Sequence, residues 1–163
     1  MADKLWKGGD SGGAGDWSIA ANWEPSGVPS AADNCYFQAG YSQSVDAGLD
    51  QSSVALGSIH FEKGWTGSLG TSAAAFQSDP SSVSVDTGDT GGQLFFDFGA
   101  QTLDLTVISC SNGAEGTYGV EFSGSGCSIG TLLVNSGKVG VCNAPGETAT
   151  VTTARIGGGT IHF

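Results

Sequence analysis

Basic side chains are scarce. Lys4, Lys7, Lys63, Lys138 and Arg155 are the only Lys or Arg in 163 residues, against 16 Asp and Glu, for a formal charge of −11. So few bases cannot neutralise a run of phosphates, which argues against nucleic-acid binding, and the same charge repels an anionic membrane surface. No apolar run approaches the roughly 20 residues that span a bilayer. The opening Met1-Ala2-Asp3-Lys4-Leu5-Trp6-Lys7 lacks the apolar core of a secretory signal, so a soluble chain made and assembled in the cytosol is expected. Cysteine is sparse as well. Cys35, Cys110, Cys127 and Cys142 form no C-x-x-C pair and have no neighbouring His, so zinc is not indicated and no cofactor is implied. Reduced, buried thiols are the expectation, with a disulfide left open.

Helical periodicity is missing too. The nearest approach to a helix is the short run Ser72-Ala73-Ala74-Ala75-Phe76, and elsewhere Gly, Ser and Thr interrupt every stretch long enough for one. What is abundant is glycine, 28 residues with no collagen-like triplet phase, which points to turns. Four Trp and eight Phe, with many Val, Leu and Ile in clusters of strand size, supply a core and argue against disorder. The class expected is all-β.

Short strands closed by Gly, Asn or Ser recur along the chain: Gly57-Ser58-Ile59-His60-Phe61, Gln93-Leu94-Phe95-Phe96-Asp97-Phe98, Thr102-Leu103-Asp104-Leu105-Thr106-Val107 and Gly119-Val120-Glu121-Phe122. They continue as Gly130-Thr131-Leu132-Leu133-Val134, Gly137-Lys138-Val139-Gly140-Val141, Thr148-Ala149-Thr150-Val151-Thr152 and Gly159-Thr160-Ile161-His162-Phe163. Val120 to Val139 is 19 residues, Val139 to Ile161 is 22, and Leu133 to Val151 is 18. A period near 20 is the length of one coil of a β-solenoid, whose coils bury their inner faces only by stacking. The sequence therefore predicts a short parallel β-helix. The alternative is an antiparallel β-sandwich or jelly roll, in which Leu132 to Val141 and Ala154 to Ile161 would be hairpins.

The N-terminal third has another texture: Trp6, Asp16-Trp17 and Asn22-Trp23, then Pro25, Pro29 and Asp33-Asn34. It reads as a loop-rich, Trp-containing cap over residues 1–55 of a single compact unit, with solenoid coils over 56–163. An open terminal coil would expose strand edges and core together, which such a cover prevents. Trp6, Trp17, Trp23 and Trp65 are the candidate interaction surface.

The segment Gly15-Asp16-Trp17-Ser18, Ala20-Ala21-Asn22-Trp23, Gly27-Val28-Pro29, Ala32-Asp33-Asn34 and Phe37 resembles the opening motif of bacterial and phage β-helix repeat proteins, including autotransporter-like passenger domains. The resemblance covers about the first quarter of the chain. It implies a right-handed parallel β-helix serving adhesion, surface display or virion structure. The chain departs from the autotransporter pattern in having no signal, no long array of coils and no membrane barrel. Within the resemblance it looks most like a phage capsid decoration (cement) protein: a virion component assembled in the host cytoplasm, homotrimeric, whose partner is the major capsid protein.

Solenoids also carry glycosidases and lyases, so the residues for such chemistry were sought. Asp86 with Asp89, and Asp46 with Asp50, are the nearest to a carboxylate pair, but each sits where Asp is the usual turn residue. Lys138 and Arg155 read as isolated surface charges rather than a lyase base. His60 and His162, both in Ile-His-Phe, point away from the core. Asp10, Asp16, Asp33 and Asn34 offer oxygen ligands for calcium without the spacing of a calcium loop, so turns and capping are preferred. The chain is expected not to be an enzyme. The alternative to a cement protein is a carbohydrate-binding or adhesive module of a tail fibre or cell surface, with an exposed Trp17 or Trp65 stacking on sugar. Packing of Trp65 in the core is the competing reading of that residue.

Overall fold

Alternation of Val, Leu, Ile and Phe with Ser, Thr and Asp gives each short segment one apolar and one polar face, and Gly, Asn and Ser turn the chain between segments. The computed structural model describes residues 1–89, 91–111, 117–124, 126–142 and 146–163. Among them are twelve strands: β1 (Asp3–Trp6), β2 (Trp23–Glu24), β3 (Asn34–Phe37), β4 (Ser58–Phe61), β5 (Ser82–Asp86), β6 (Leu94–Asp97), β7 (Thr102–Ser109), β8 (Val120–Ser123), β9 (Cys127–Val134), β10 (Lys138–Val141), β11 (Ala149–Ile156) and β12 (Thr160–His162). The one helical element among these residues is a 3-10 turn at Ala20–Asn22, and Ser72 to Phe76 forms turns and bridges instead.

One sheet has eight strands in the order β11-β9-β7-β5-β4-β3-β1-β2, the other four in the order β12-β10-β8-β6. Every strand pair is parallel except β1 with β2. From β5 onward successive strands alternate between the sheets, so the chain winds as a parallel β-solenoid of about five coils. The sandwich is excluded. The two suspected hairpins are corners: β9 and β10 lie in different sheets, as do β11 and β12.

Register follows the inward residues. Cys35, Ile59, Val83, Leu105 and Leu132 form one column, and Phe37, Phe61, Val85, Val107 and Val134 the next. On the other sheet Leu94, Val120, Val139 and Ile161 are stacked, with Phe96 over Phe122 over Val141. The offsets of 19 and 22 read from the sequence are thus true neighbours. The third is not: Leu133 pairs with Arg155, while Val151 pairs with Ile129. β9 and β11 run in unbroken register from Ala149 on Cys127 to Ile156 on Val134, so a spacing of 18 does not join neighbours. Separately, a β-bulge between β7 and β9 leaves one extra residue on β9, since Leu103 faces Ile129 but Leu105 faces Leu132. The bulge reverses the alternation, turning Leu132 inward and Leu133 outward. A second irregularity lies between Val85, which faces Val107, and Asp86, which faces Ser109.

Segment 1–55 contributes more than loops. Strand β3 already stands in coil register beneath β4, and Val45 bridges Leu69, which bridges Leu94. The end of the stack is closed by β1, by β2 pairing antiparallel to it, and by the loop between them.

Two glycines show how tightly coils meet. A Cβ on Gly92 would lie 2.2 Å from the carbonyl oxygen of Gly67 on the coil below. Gly137, at the Asn-Ser-Gly corner, has φ +94° and would meet the Cys110 carbonyl oxygen at 2.4 Å. Aromatic rings fill the interior: Phe37 stacks on Phe61 at 4.5 Å and Phe96 on Phe122 at 5.1 Å. Phe96→Ala is expected to cost about 3–5 kcal/mol in a urea melt, whereas Phe163→Ala, at 70% exposure, should cost less than about 0.5 kcal/mol.

Candidate functional site

The four tryptophans are core residues, and this corrects their assignment as an interaction surface. Trp6, Trp17 and Trp65 are 0% exposed and Trp23 is 1% exposed. Their burial follows from the end of the stack: the apolar columns must be covered, and indoles cover the most area per residue. Trp6 meets Trp23 edge-on at 5.0 Å, Trp17 meets Trp23 at 4.6 Å, and Trp17 lies against Phe76 at 4.4 Å. Trp65 sits on Phe37 at 5.0 Å and on Phe61 at 5.3 Å. A sugar ring has no access to these faces, and packing is what Trp65 does.

The polar residues of the opening segment hold those indoles. Asn22 is fully buried: its side-chain amide donates to the carbonyls of Gly13 (2.8 Å) and Asp16 (2.9 Å), and its Oδ1 accepts from the Asp10 N–H (2.9 Å). Its backbone carbonyl accepts from the N–H groups of Lys7 and Gly8, pinning the loop to the end of β1. The Trp23 indole N–H donates to the Trp17 carbonyl and the Trp6 indole N–H to the Gln43 carbonyl. Lys4 faces inward over the Cys35 column and its ammonium donates to the Pro25 carbonyl.

The acids considered for catalysis or calcium occupy turns and corners. Asp10 accepts from the Gly12 N–H, Asp16 from the Ser18 N–H and hydroxyl, and Asp50 from the Ser52 N–H and hydroxyl. Asp86 accepts from the Ser109 hydroxyl across the bulge, and Asp89 is exposed. Asn34 accepts from the Ser58 hydroxyl and donates to Asp3. Asp33 is buried. Burial alone would raise its carboxyl, but the N–H groups of Ser30 and Ala2 and the Ser30 hydroxyl bond the charged form and hold it below the ordinary 3.8. Among the described residues no group of three His, Cys, Asp or Glu is disposed to hold a metal ion.

Lys138 lies over the Tyr118 ring, 5.1 Å from its centroid, and Arg155 is exposed on β11. His60 stacks on Tyr36 at 4.8 Å on the outer face, with Nε2 2.7 Å from the Ser58 hydroxyl oxygen. Burial lowers its pKa, against the pull of Glu62 and Asp3. His162 is exposed.

The four cysteines are free and buried. Burial pushes the Cys110 thiol up to about 11 and Cys127 up to about 12, and raises Cys35 and Cys142 in the same sense, so all four are protonated at neutral pH.

Glu121 and Glu147, missed in the sequence, lie close to one another. Glu147 accepts from the Gly124 N–H through Oε1, while its Oε2 is buried with no partner among the described residues. Glu121 has a raised pKa, chiefly from burial and then from Glu147. Asp97 accepts from the Gly99 N–H and from the Gln77 side-chain amide, and with Gln77, Ser78 and Gln101 it lines a cleft of about 360 Å³. Nothing in the sequence pattern flagged this meeting, because its members come from different coils.

Among the described residues no helix is long and apolar enough to cross a membrane. No protein-family model, curated protein or solved structure matches the chain.

Asn22→Ala would remove the acceptor of the Asp10 N–H and one of the two donors to each of the Gly13 and Asp16 carbonyls, which keep the N–H groups of Asp16 and Ile19, and is expected to cost about 1–3 kcal/mol by denaturant unfolding. Asp33 stabilises the fold fully above its ordinary value of 3.8 and loses that contribution as pH falls through its lower folded value. Accordingly, the difference in unfolding midpoint between the native chain and Asp33→Asn should be open at neutral pH and close below 3.8.

Proposed function

We propose that the chain is a non-enzymatic structural protein of a virion: a decoration (cement) protein that reinforces a phage shell through contacts with the major capsid protein, its copies standing side by side as a homotrimer. The observation that carries the reading is where the chemistry-bearing residues lie. The tryptophans are inside, Asp10, Asp16 and Asp50 close turns, and the thiols are buried and protonated. What remains for function is a stiff stack of coils with an acidic outside, suited to repeated contact rather than turnover. The resemblance of Gly15 to Phe37 to the opening of phage β-helix proteins supports the same reading, because Asn22, Trp17 and Trp23 build the closed end of the solenoid.

The stacking of an exposed Trp on sugar, on which the carbohydrate-binding alternative rested, is removed by the burial of Trp17 and Trp65. Quantitative mass spectrometry of purified particles of the phage that encodes the chain tests the proposal. The chain should be present in a copy number comparable to that of the major capsid protein. Its absence from particles, or presence in a few copies as in a tail, would overturn the assignment.

A further inference from the structure

Two of the buried thiols belong to one coil and meet across it. Cys127 opens β9 and Cys142 directly follows β10; between them the chain runs out along one sheet, turns at Asn135-Ser136-Gly137 and returns along the other. The end of the circuit comes back beside its start. The two thiols are hydrogen-bonded to each other, and the Cys142 Sγ lies 3.3 Å from the carbonyl oxygen of Gly124, just ahead of β9. Both backbones are held in place: the Cys142 N–H donates to the Phe122 carbonyl at 2.7 Å, and Cys127 stands in parallel register with Ala149.

The other two cysteines have different surroundings. Cys35 lies in an inward column between Lys4 and Ile59, and Cys110 sits at the opposite corner, its thiol facing the carbonyls of Ser136 and Lys138. Within the pair the two members are unequal. Cys142 is 8% exposed and Cys127 1%. Burial and then Glu147 raise the Cys142 thiol, while the hydrogen bond with Cys127 draws it back; burial, followed by the charge of Cys142 and that same bond, pushes Cys127 up to about 12. Cys142 is therefore the member that ionises first and that a reagent reaches first.

From this arrangement we infer that Cys127 and Cys142 are an oxidation site, at which a small-molecule disulfide of the oxidised-glutathione class joins them into a disulfide that closes one coil of the solenoid as a covalent ring. Cys142, as thiolate, attacks one sulfur of the small disulfide and expels a thiolate, which takes up a proton. Cys127 then loses its proton and attacks the Cys142 sulfur, expelling the second thiolate. The two protein thiols give up two electrons and two protons, and the small disulfide leaves as two thiols. The raised thiols make the reaction slow, and their contact directs it to this pair. The bond ties the start of β9 to the end of β10 across a spacing of 15 residues, and so restricts the unfolded chain. In a reducing medium the coil keeps its thiols; in an oxidising one it gains the staple. The inference does not depend on the proposed place in a shell, and a chain absent from virions would still form the ring.

Incubation of the folded full chain with oxidised glutathione at about pH 8.5, where thiolate begins to form, tests it. The remaining thiols are then alkylated in denaturant and the chain is digested for mass spectrometry. Cleavage after Glu121 and Lys138 places Cys110, Cys127 and Cys142 on separate peptides. The expected product is a peptide pair linked through Cys127 and Cys142, with Cys35 and Cys110 alkylated. The oxidised chain should unfold at a urea concentration about 1–3 M higher than the reduced chain, and added reductant should reverse the rise. Cys142→Ser, and independently Cys127→Ala, should abolish both the link and the rise, whereas Cys110→Ala should keep both. The inference is overturned by recovery of Cys127 and Cys142 unlinked under conditions that oxidise the urea-unfolded chain, or by a mixed disulfide with glutathione that goes no further. Linkage through Cys110, or a linked chain whose midpoint does not rise, would overturn it equally.

Discussion

The structure depends on parallel, in-register stacking of one coil on the next. In a parallel ladder each residue meets the residue one coil away, so an apolar position that faces inward once must do so in every coil it touches. Phe37 on Phe61 and Phe96 on Phe122 are the clearest cases, ring over ring within 13° and 15° of coplanar. Local pairing energies are small, but the columns make them mutually supporting. Where one coil carries an extra residue, as in β9, the next strand repeats the shift rather than averaging it away: Thr153 still meets Thr131 and Ile156 still meets Val134.

A stack of this kind has to solve the problem of its ends. At the first coil the solution is chemical rather than regular: three indoles cover the columns, and Asn22 fixes the loop that carries two of them through hydrogen bonds from a fully buried amide. The Asp and Ser residues around it settle local turns.

Much of the fold was legible because a solenoid writes its period into the sequence. Val120, Val139 and Ile161 could be aligned by eye, and Gly, Asn and Ser marked the corners. The spacing from Leu133 to Val151 misled because the coil from β9 to β11 is longer than that spacing allows, and a pair of adjacent leucines does not say which one faces in. The tryptophans were recognised as a cap but not as wholly interior: an aromatic cluster in a polar loop has the same sequence signature whether it covers a core or a partner. The approach of Glu147 to Glu121 was invisible, since it arises from different coils and from no spacing along the chain.

The central claim is the coil-to-coil register, and the most direct measurement is a set of inter-strand proton contacts by nuclear Overhauser spectroscopy on the labelled chain. The account predicts the staggered Hα-to-amide pattern of parallel strands linking Val120 with Val139, Val139 with Ile161, and Ile59 with both Cys35 and Val83. Close Hα-to-Hα contacts between residues of β9 and β10, the mark of an antiparallel hairpin, would contradict it.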